Sequence, residues 1–217
     1  MKKVVLIGDS IRFQYQEYVK KALKDVAEIY ASEDSARFSG YTLRFLHNWV
    51  QDGNWRDDID VVHWNAGLWD VLRLYGDDVP LSTKEYYTLN VQRIDRALRL
   101  FFPKAKRIFA TSTRVIESRY DEWWVCRRNE DIQAYNQAAV EALQNTDAVI
   151  NDLYALTENF PESYYCDPTH FTEEQGVPLL GDKVAEIICE TAGIPKTAIK
   201  DATGTKMKKV PTDVFGQ

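Results

Sequence analysis

Cysteine is scarce in this sequence, and the three residues present, Cys126, Cys166 and Cys189, stand far apart. They form no Cys-x-x-Cys pair. An odd number of widely spaced cysteines indicates neither a disulfide framework nor a tetrahedral zinc site. We therefore expect a protein of a reducing compartment, the cytoplasm, that uses no metal and no cofactor.

Long apolar runs and concentrated positive charge are missing as well. No stretch approaches the roughly 20 apolar residues of a membrane span. The apolar run at residues 4–7 stops at Gly8, short of the roughly 7–15 residues of a signal-peptide core. The net charge is −6, and basic residues cluster only in the short KMKK at 206–209. Because nucleic acids and anionic membranes attract basic surfaces, we expect neither as a partner.

What the sequence does contain is an alternation of two patterns, short apolar runs and segments with helical spacing. The runs suit buried strands and lie at residues 4–7, 26–30, 59–64, 107–111 and 148–151. Apolar stripes predict helices around residues 15–23, 43–50, 87–101 and 132–143, and a fifth helix with Thr172 and Gln175 as its capping box. Strand followed by helix, five times, predicts an α/β domain over residues 1–193 with a parallel sheet covered on both faces. Residues 194–217 lose the pattern and are interpreted as an irregular C-terminal extension.

Polar residues follow several of these strands at the edge where ligands bind to open parallel sheets. Ser10 follows the first strand, and Asp167 and His170 share a loop after the last one. A serine hydroxyl becomes a nucleophile when a histidine takes its proton, and a carboxylate fixes the tautomer of that histidine. Pro168 presets a turn that can hold Asp167 against His170. The pattern therefore predicts a Ser10–His170–Asp167 triad for acyl transfer.

Other interpretations of these residues stay open. Ser10 could be an ordinary helix N-cap, and the turn after the first strand could bind a phosphate or a flavin instead. The sequence has no Gly-x-Gly-x-x-Gly and no Gly-x-x-x-x-Gly-Lys-[Ser/Thr], and Asp9 would repel a phosphate at that turn. Because His63 is strand-interior and His47 lies on a helix, His170 is the histidine best placed to act as a base.

Three motifs resemble those of the GDSL/SGNH hydrolase family. They are GDS at residues 8–10, SGYT at 39–42 and DPTH at 167–170. The resemblance implies a flavodoxin-like three-layer α/β/α sandwich with a five-stranded parallel sheet, and serine-dependent hydrolysis of carboxylic esters. It also implies that the amide of Gly40 donates to the oxyanion, beside the amide of Ser10.

The third motif of that family, Gly-x-Asn-Asp, departs here and reads Gly67-Leu68-Trp69-Asp70. A tryptophan therefore stands where the family's asparagine donates to the oxyanion. Asn65, two residues before Gly67, is a compact amide donor, and the indole N–H of Trp69 is the alternative. We expect the oxyanion hole to consist of Ser10, Gly40 and Asn65.

Aromatic and basic residues around these motifs suggest the substrate. We expect Asp9, Trp64, Trp69 and Arg114 to contact it. The loop after the fourth strand also carries aromatic and basic residues: Tyr120, Trp123, Trp124, Arg127 and Arg128. Exposed aromatic rings suit sugar rings and guanidinium groups suit carboxylates, whereas Trp123 and Trp124 could equally cover the next helix. The interpretation is a short-chain acyl or acetyl esterase for a carbohydrate or other small ester; the alternative is a catalytically weak or silent glycan-binding protein.

Overall fold

The structure, a computed structural model, describes residues 1–55, 58–121 and 123–208. The strands are β1 (Lys2–Ile7), β2 (Ala27–Ala31), β3 (Val61–Asn65), β4 (Arg73–Leu74), β5 (Lys106–Ala110), β6 (Val125–Cys126) and β7 (Val149–Asn151). The α-helices are α1 (Ser10–Ala22), α2 (Ser39–Asp52), α3 (Lys84–Phe101), α4 (Asn129–Leu143), α5 (Leu153–Thr157) and α6 (Gly176–Ala192).

Five strands form one parallel sheet in the order β2-β1-β3-β5-β7. Helices α1 and α6 pack against each other, and α3 packs between α2 and α4. The predicted α/β sandwich with a five-stranded parallel sheet is therefore confirmed. Its strand order reverses at β1, so the carboxyl ends of β1 and β3 border the crevice in which such sheets bind ligands.

Burial of both sheet faces explains why the strands have continuous apolar sequences. Val4, Val5, Leu6 and Ile7 have no exposed surface, as strands covered on both sides require. His63 of β3 is equally buried, and burial lowers its pKa to about 3. Its ring nitrogens lie 3.4 Å from the Tyr15 hydroxyl and 3.1 Å from Asn151 Nδ2. The expectation that His63 is a strand-interior residue is confirmed.

The fifth predicted helix starts later than its sequence indicated. Helix α6 begins at Gly176, and its N-cap Gln175 makes no side-chain capping bond. Thr172 is held in the preceding loop because its amide donates to the Tyr164 carbonyl at 2.9 Å. Its hydroxyl accepts from the Gly176 amide at 3.4 Å. The capping box of Thr172 and Gln175 is therefore wrong.

Strands β4 and β6 form a second, antiparallel sheet that the sequence did not predict. Each has only two residues, too few to carry an alternating pattern. Leu74 pairs with Val125, and Arg73 at the same place forms an ion pair with Asp131 at 2.8 Å. The small sheet joins the segments that follow β3 and β5.

Residues 194–208 lie against the domain and contain one 3-10 turn, Lys196–Ala198. The Lys200 amide donates to the Ala22 carbonyl, and the Met207 amide donates to Glu173 Oε1 at 2.9 Å. The rest of the predicted extension, 209–217, lies outside the described residues. In the part of the chain that is described, no helix is long and apolar enough to cross a membrane.

Candidate active site

The turn between β1 and α1 presents Ser10. Asp9 is the N-cap of α1, and its Oδ1 accepts from the Ile11 amide at 3.0 Å. The capping role therefore belongs to Asp9 and leaves the Ser10 hydroxyl available. Gly8 is required for close approach, because a Cβ there would collide with Asn65 Oδ1 from the neighbouring strand.

The Ser10 hydroxyl, the His170 ring and the Asp167 carboxylate form a continuous hydrogen-bonded series. Ser10 Oγ lies 2.7 Å from His170 Nε2, and His170 Nδ1 lies 2.6 Å from Asp167 Oδ2. The other carboxylate oxygen of Asp167 accepts from the Thr169 and His170 amides, each at 2.7 Å. These contacts hold Nδ1 as the donor to Asp167, so Nε2 can accept the serine proton.

Asp167 is ionised in this environment. Its partial burial favours the neutral acid, but the hydrogen bonds from His170 and Thr169 and the attraction of His170 outweigh burial and bring the pKa of Asp167 to about 2. The carboxylate is thus charged at neutral pH and can stabilise an imidazolium on His170.

Gln14 ties the serine helix to the histidine loop. Its Nε2 donates to the Phe171 carbonyl at 2.9 Å, and its Oε1 accepts from the Phe171 amide at 3.0 Å. Gln14 lies one turn after Ser10 on α1, and Phe171 directly follows His170. This reciprocal pair fixes α1 and the histidine loop relative to each other, and the sequence offered no sign of it.

Arg127 braces the same loop from the other side. It is buried, its Nε donates to the Leu68 carbonyl, and its Nη1 lies 3.2 Å from the Tyr120 hydroxyl. The Tyr120 hydroxyl in turn lies 2.7 Å from Thr169 Oγ1, next to His170. Of the guanidinium groups on this loop, that of Arg127 is therefore used inside the protein.

The start of α2 is fixed by Asp70. The N-cap of α2, Phe38, has no capping side chain, and Asp70 accepts instead from the Ser39 amide at 2.9 Å and the Ser39 hydroxyl at 2.6 Å. Asn90 donates to that hydroxyl at 3.2 Å. Burial raises the pKa of Asp70 to about 6, against the opposing effect of the Ser39 hydrogen bonds. Sequence reasoning quoted Asp70 in the third motif but missed this role.

The predicted backbone donors, Ser10 and Gly40, both lie in the first turn of a helix. Amides there have no acceptor within their own helix and carry the positive end of its dipole. A Cβ at Gly40 would lie 2.8 Å from the Tyr86 hydroxyl oxygen and 3.0 Å from the Phe38 ring. Glycine therefore suits this crowded position.

Asn65 and Trp69 occupy different surroundings. Asn65 ends β3, is 5% exposed, and directs its side chain at the turn that carries Ser10. Burial raises the pKa of Asp9, and a hydrogen bond from Asn65 acts in the opposite direction. Trp69 is half-buried in the turn after β3. The assignment of the third donor to Asn65 stays a prediction.

Two of the four expected substrate contacts are wrong. Trp64 has no exposed surface and packs on Phe109 with ring centroids 4.8 Å apart, because its strand is covered on both faces. Asp9 is equally buried. Arg114 is half-buried with Nη1 3.5 Å from the Phe160 carbonyl; its role, like that of Trp69, stays a prediction.

The structure separates the two open interpretations of Trp123 and Trp124. Their side chains are 79% and 66% exposed, so they do not cover the next helix. Within the described residues, no group of three or more His, Cys, Asp or Glu side chains could hold a metal ion.

No protein-family model and no curated protein matches this sequence. Solved structures do match. A lipase/acylhydrolase from Enterococcus faecalis has a TM-score of 0.68 at 20% identity, over 96% of this chain and 100% of that one. A carbohydrate esterase family 3 protein from Talaromyces cellulolyticus has a TM-score of 0.67 at 16% identity, over 89% and 99%.

An acetylxylan esterase from Geobacillus stearothermophilus has a TM-score of 0.64 at 16% identity, over 90% of this chain and 95% of that one. This chain has the fold of these hydrolases. Ser10 and His170 lie at the carboxyl edge of that fold's parallel sheet, where α/β enzymes bind their ligands.

Proposed function

We propose that the protein is a serine esterase of the GDSL/SGNH type. The observation that supports this most is the 2.7 Å separation of Ser10 Oγ and His170 Nε2, with Asp167 on the opposite ring nitrogen at 2.6 Å. Nucleophile, base and orienting carboxylate stand at hydrogen-bonding distances, as acyl transfer through a serine requires.

In the first half of the proposed reaction, Ser10 Oγ attacks the ester carbonyl carbon while His170 Nε2 takes the hydroxyl proton. The C–O bond to the alcohol then breaks, and the leaving alkoxide receives that proton from His170. Ser10 is left as an acyl ester. In the second half, His170 takes a proton from water, hydroxide attacks the acyl carbon, and Ser10 regains its proton as the acid leaves.

Negative charge develops on the carbonyl oxygen in both halves. The amides of Ser10 and Gly40 are the proposed donors to it, with the Asn65 side chain as the third. Asp70 contributes indirectly because it holds Ser39, the neighbour of Gly40, at 2.9 Å and 2.6 Å. Donors fixed before the reaction need no reorganisation when the charge appears, which is the source of their effect on rate.

We propose a short acyl group, such as acetate on a carbohydrate, as the substrate class. Two observations support it: exposed aromatic side chains, of which Tyr86 lies against Gly40, and a fold shared with an acetylxylan esterase and a carbohydrate esterase. The exposed tryptophans also suit the second candidate function, a glycan-binding protein without catalysis.

The deciding experiment is hydrolysis of p-nitrophenyl esters of rising chain length, together with labelling by a fluorophosphonate probe. We expect acetate to be cleaved fastest and the probe to add to Ser10, located by peptide mass. Ser10→Ala should lose both signals, whereas Ser118→Ala, at an exposed serine, should keep them. If the wild type shows no hydrolysis and no labelling, the proposed esterase function is contradicted and the glycan-binding candidate remains.

A further inference from the structure

Exposed hydrophobic side chains are distributed unevenly over this protein. In the part of the chain that the structure describes, seven of the ten large exposed ones lie in residues 75–89 and 123–124. Four of the seven are aromatic, and we call them the aromatic face: Tyr75, Tyr86, Trp123 and Trp124. Their exposed fractions are 72%, 47%, 79% and 66%. Because soluble proteins seldom group exposed apolar side chains, such a concentration marks an interaction site.

Three of these rings are brought together by the small antiparallel sheet. The pairing of Leu74 with Val125 continues into a hydrogen bond from the Tyr75 amide to the Trp124 carbonyl at 3.1 Å. The Trp123 ring lies above Gly76, where a Cβ would be 3.7 Å from it. Strands β4 and β6 thus place rings from two distant segments side by side.

Two contacts link the segments that carry the aromatic face to the active site, one at each end of those segments. At one end, the Tyr86 hydroxyl lies against Gly40, as the 2.8 Å distance to a Cβ there indicates. At the other end, β6 leads into Arg127, whose Nη1 lies 3.4 Å from Thr169 Oγ1 in the histidine loop. A molecule that extends over the face to Tyr86 therefore lies beside Gly40 of the proposed oxyanion hole.

Charges around the face narrow the choice of ligand. Asp77 and Asp78 follow Tyr75 and are exposed, as is Asp121. Asp121 also receives the Trp123 amide at 3.0 Å. These carboxylates outnumber the exposed cations Lys84 and Arg128 of the same segments, which disfavours polyanions such as nucleic acids and polysaccharides rich in uronic acids.

We propose that the aromatic face binds the leaving-group side of the substrate, an uncharged polysaccharide that carries acyl esters. The inference rests on the proposed esterase function. Flat aromatic rings fit the apolar C–H faces of pyranose rings while the sugar hydroxyls stay in water. Because Tyr75, Trp123 and Trp124 lie together on the small sheet, the face fits consecutive units of a polymer better than a single sugar.

The test compares a polymer with a small ester. The double variant Trp123→Ala/Trp124→Ala should lower the ratio of kcat/KM on acetylated xylan to kcat/KM on p-nitrophenyl acetate about tenfold, since two stacking contacts are lost. The loss should lie in KM. Leu100→Ala is the matched control, because Leu100 is 74% exposed but lies about 21 Å along α3 from Tyr86; it should keep the ratio.

Binding is measured separately from catalysis. Affinity electrophoresis in deacetylated xylan should retard Ser10→Ala, and the added tryptophan substitutions should abolish the retardation, whether or not the wild type hydrolyses an ester. An unchanged ratio and unchanged retardation would overturn the proposal. The proposal would also be overturned if the wild type is a dimer, the tryptophan substitutions dissociate it, and the retardation by xylan persists. The aromatic face would then join two copies of this chain.

Discussion

The turns that follow β1 and β3 lie at the ends of neighbouring strands, and their aspartates have different structural roles. Each follows a buried parallel strand, and each contains an aspartate with no exposed surface. Asp9 acts locally, as the N-cap of its own helix α1. Asp70 acts at a distance, on the first residue of α2. A local role can be inferred from spacing, whereas a distant one requires the fold.

The largest effect is expected when Ser10, in the turn after β1, is replaced. Ser10→Ala should lower kcat on p-nitrophenyl acetate by at least about 10⁴-fold, because no other hydroxyl replaces the nucleophile. Folding should be unaffected, since Asp9 and not Ser10 caps α1. Initial rates and a thermal melt of both proteins check this. A variant that keeps most of its kcat would remove Ser10 from the mechanism.

The sequence predicted much of the first turn and little of the second. Gly8, Asp9 and Ser10 follow an apolar run directly, and Asp167 and His170 are only three residues apart, so local geometry was enough. The bonds from Asp70 to Ser39 and from Gln14 to Phe171 join residues distant in sequence. Nothing in a periodic pattern encodes them.

The small sheet and the start of α6 were missed for related reasons. Strands of two residues, as in β4 and β6, carry no period. Thr172 has the residue type of a helix cap, but its bond to Tyr164 fixes it in a loop. Trp64 lies near the end of its strand but does not reach a substrate, because both faces of β3 are covered and its side chain is buried.

The next prediction concerns the side-chain donor to the oxyanion. In the turn after β3, Trp69 stands where the GDSL/SGNH motif has an asparagine. Asn65→Ala should lower kcat by about 10²–10³-fold with little change in KM, as loss of one oxyanion donor does. Trp69→Phe keeps the ring, removes the indole N–H, and should stay within about tenfold of the wild type. Steady-state kinetics on one ester decide between them. The opposite ranking would assign the oxyanion contact to Trp69.

A smaller effect is expected at Gln14, which connects the first turn to the histidine loop. Gln14→Leu removes both hydrogen bonds to Phe171, leaving the buried Phe171 amide unpaired and its carbonyl with only the Cys166 thiol at 3.5 Å, which should cost about 1–3 kcal/mol in the free energy of unfolding. Because His170 is then held less firmly, kcat should fall about tenfold with KM nearly unchanged. Urea unfolding and kinetics measure the two effects. Gln137→Leu, at an exposed glutamine, is the control. Equal kcat values in both variants would contradict the role of Gln14 in holding the histidine loop.

The last prediction concerns Asp70 and the dependence of stability on pH, with no change expected in the chemistry at Ser10. Burial raises the pKa of Asp70 from 3.8 to about 6, so the folded state binds a proton that the unfolded state has released. This proton stabilises the fold fully below pH 4, and the stabilisation is lost as pH rises through 6. Asp70→Asn cannot ionise. Between pH 4 and 6, the free energy of unfolding of the variant should therefore rise relative to that of the wild type, by up to about 1.4 kcal/mol per pH unit. Urea unfolding at half-unit steps tests this, since other titrating groups cancel in the difference. If the difference in free energy of unfolding between variant and wild type stays constant over this range, the Ser39 hydrogen bonds keep Asp70 ionised. The turn after β3 would then contain a buried, charged carboxylate.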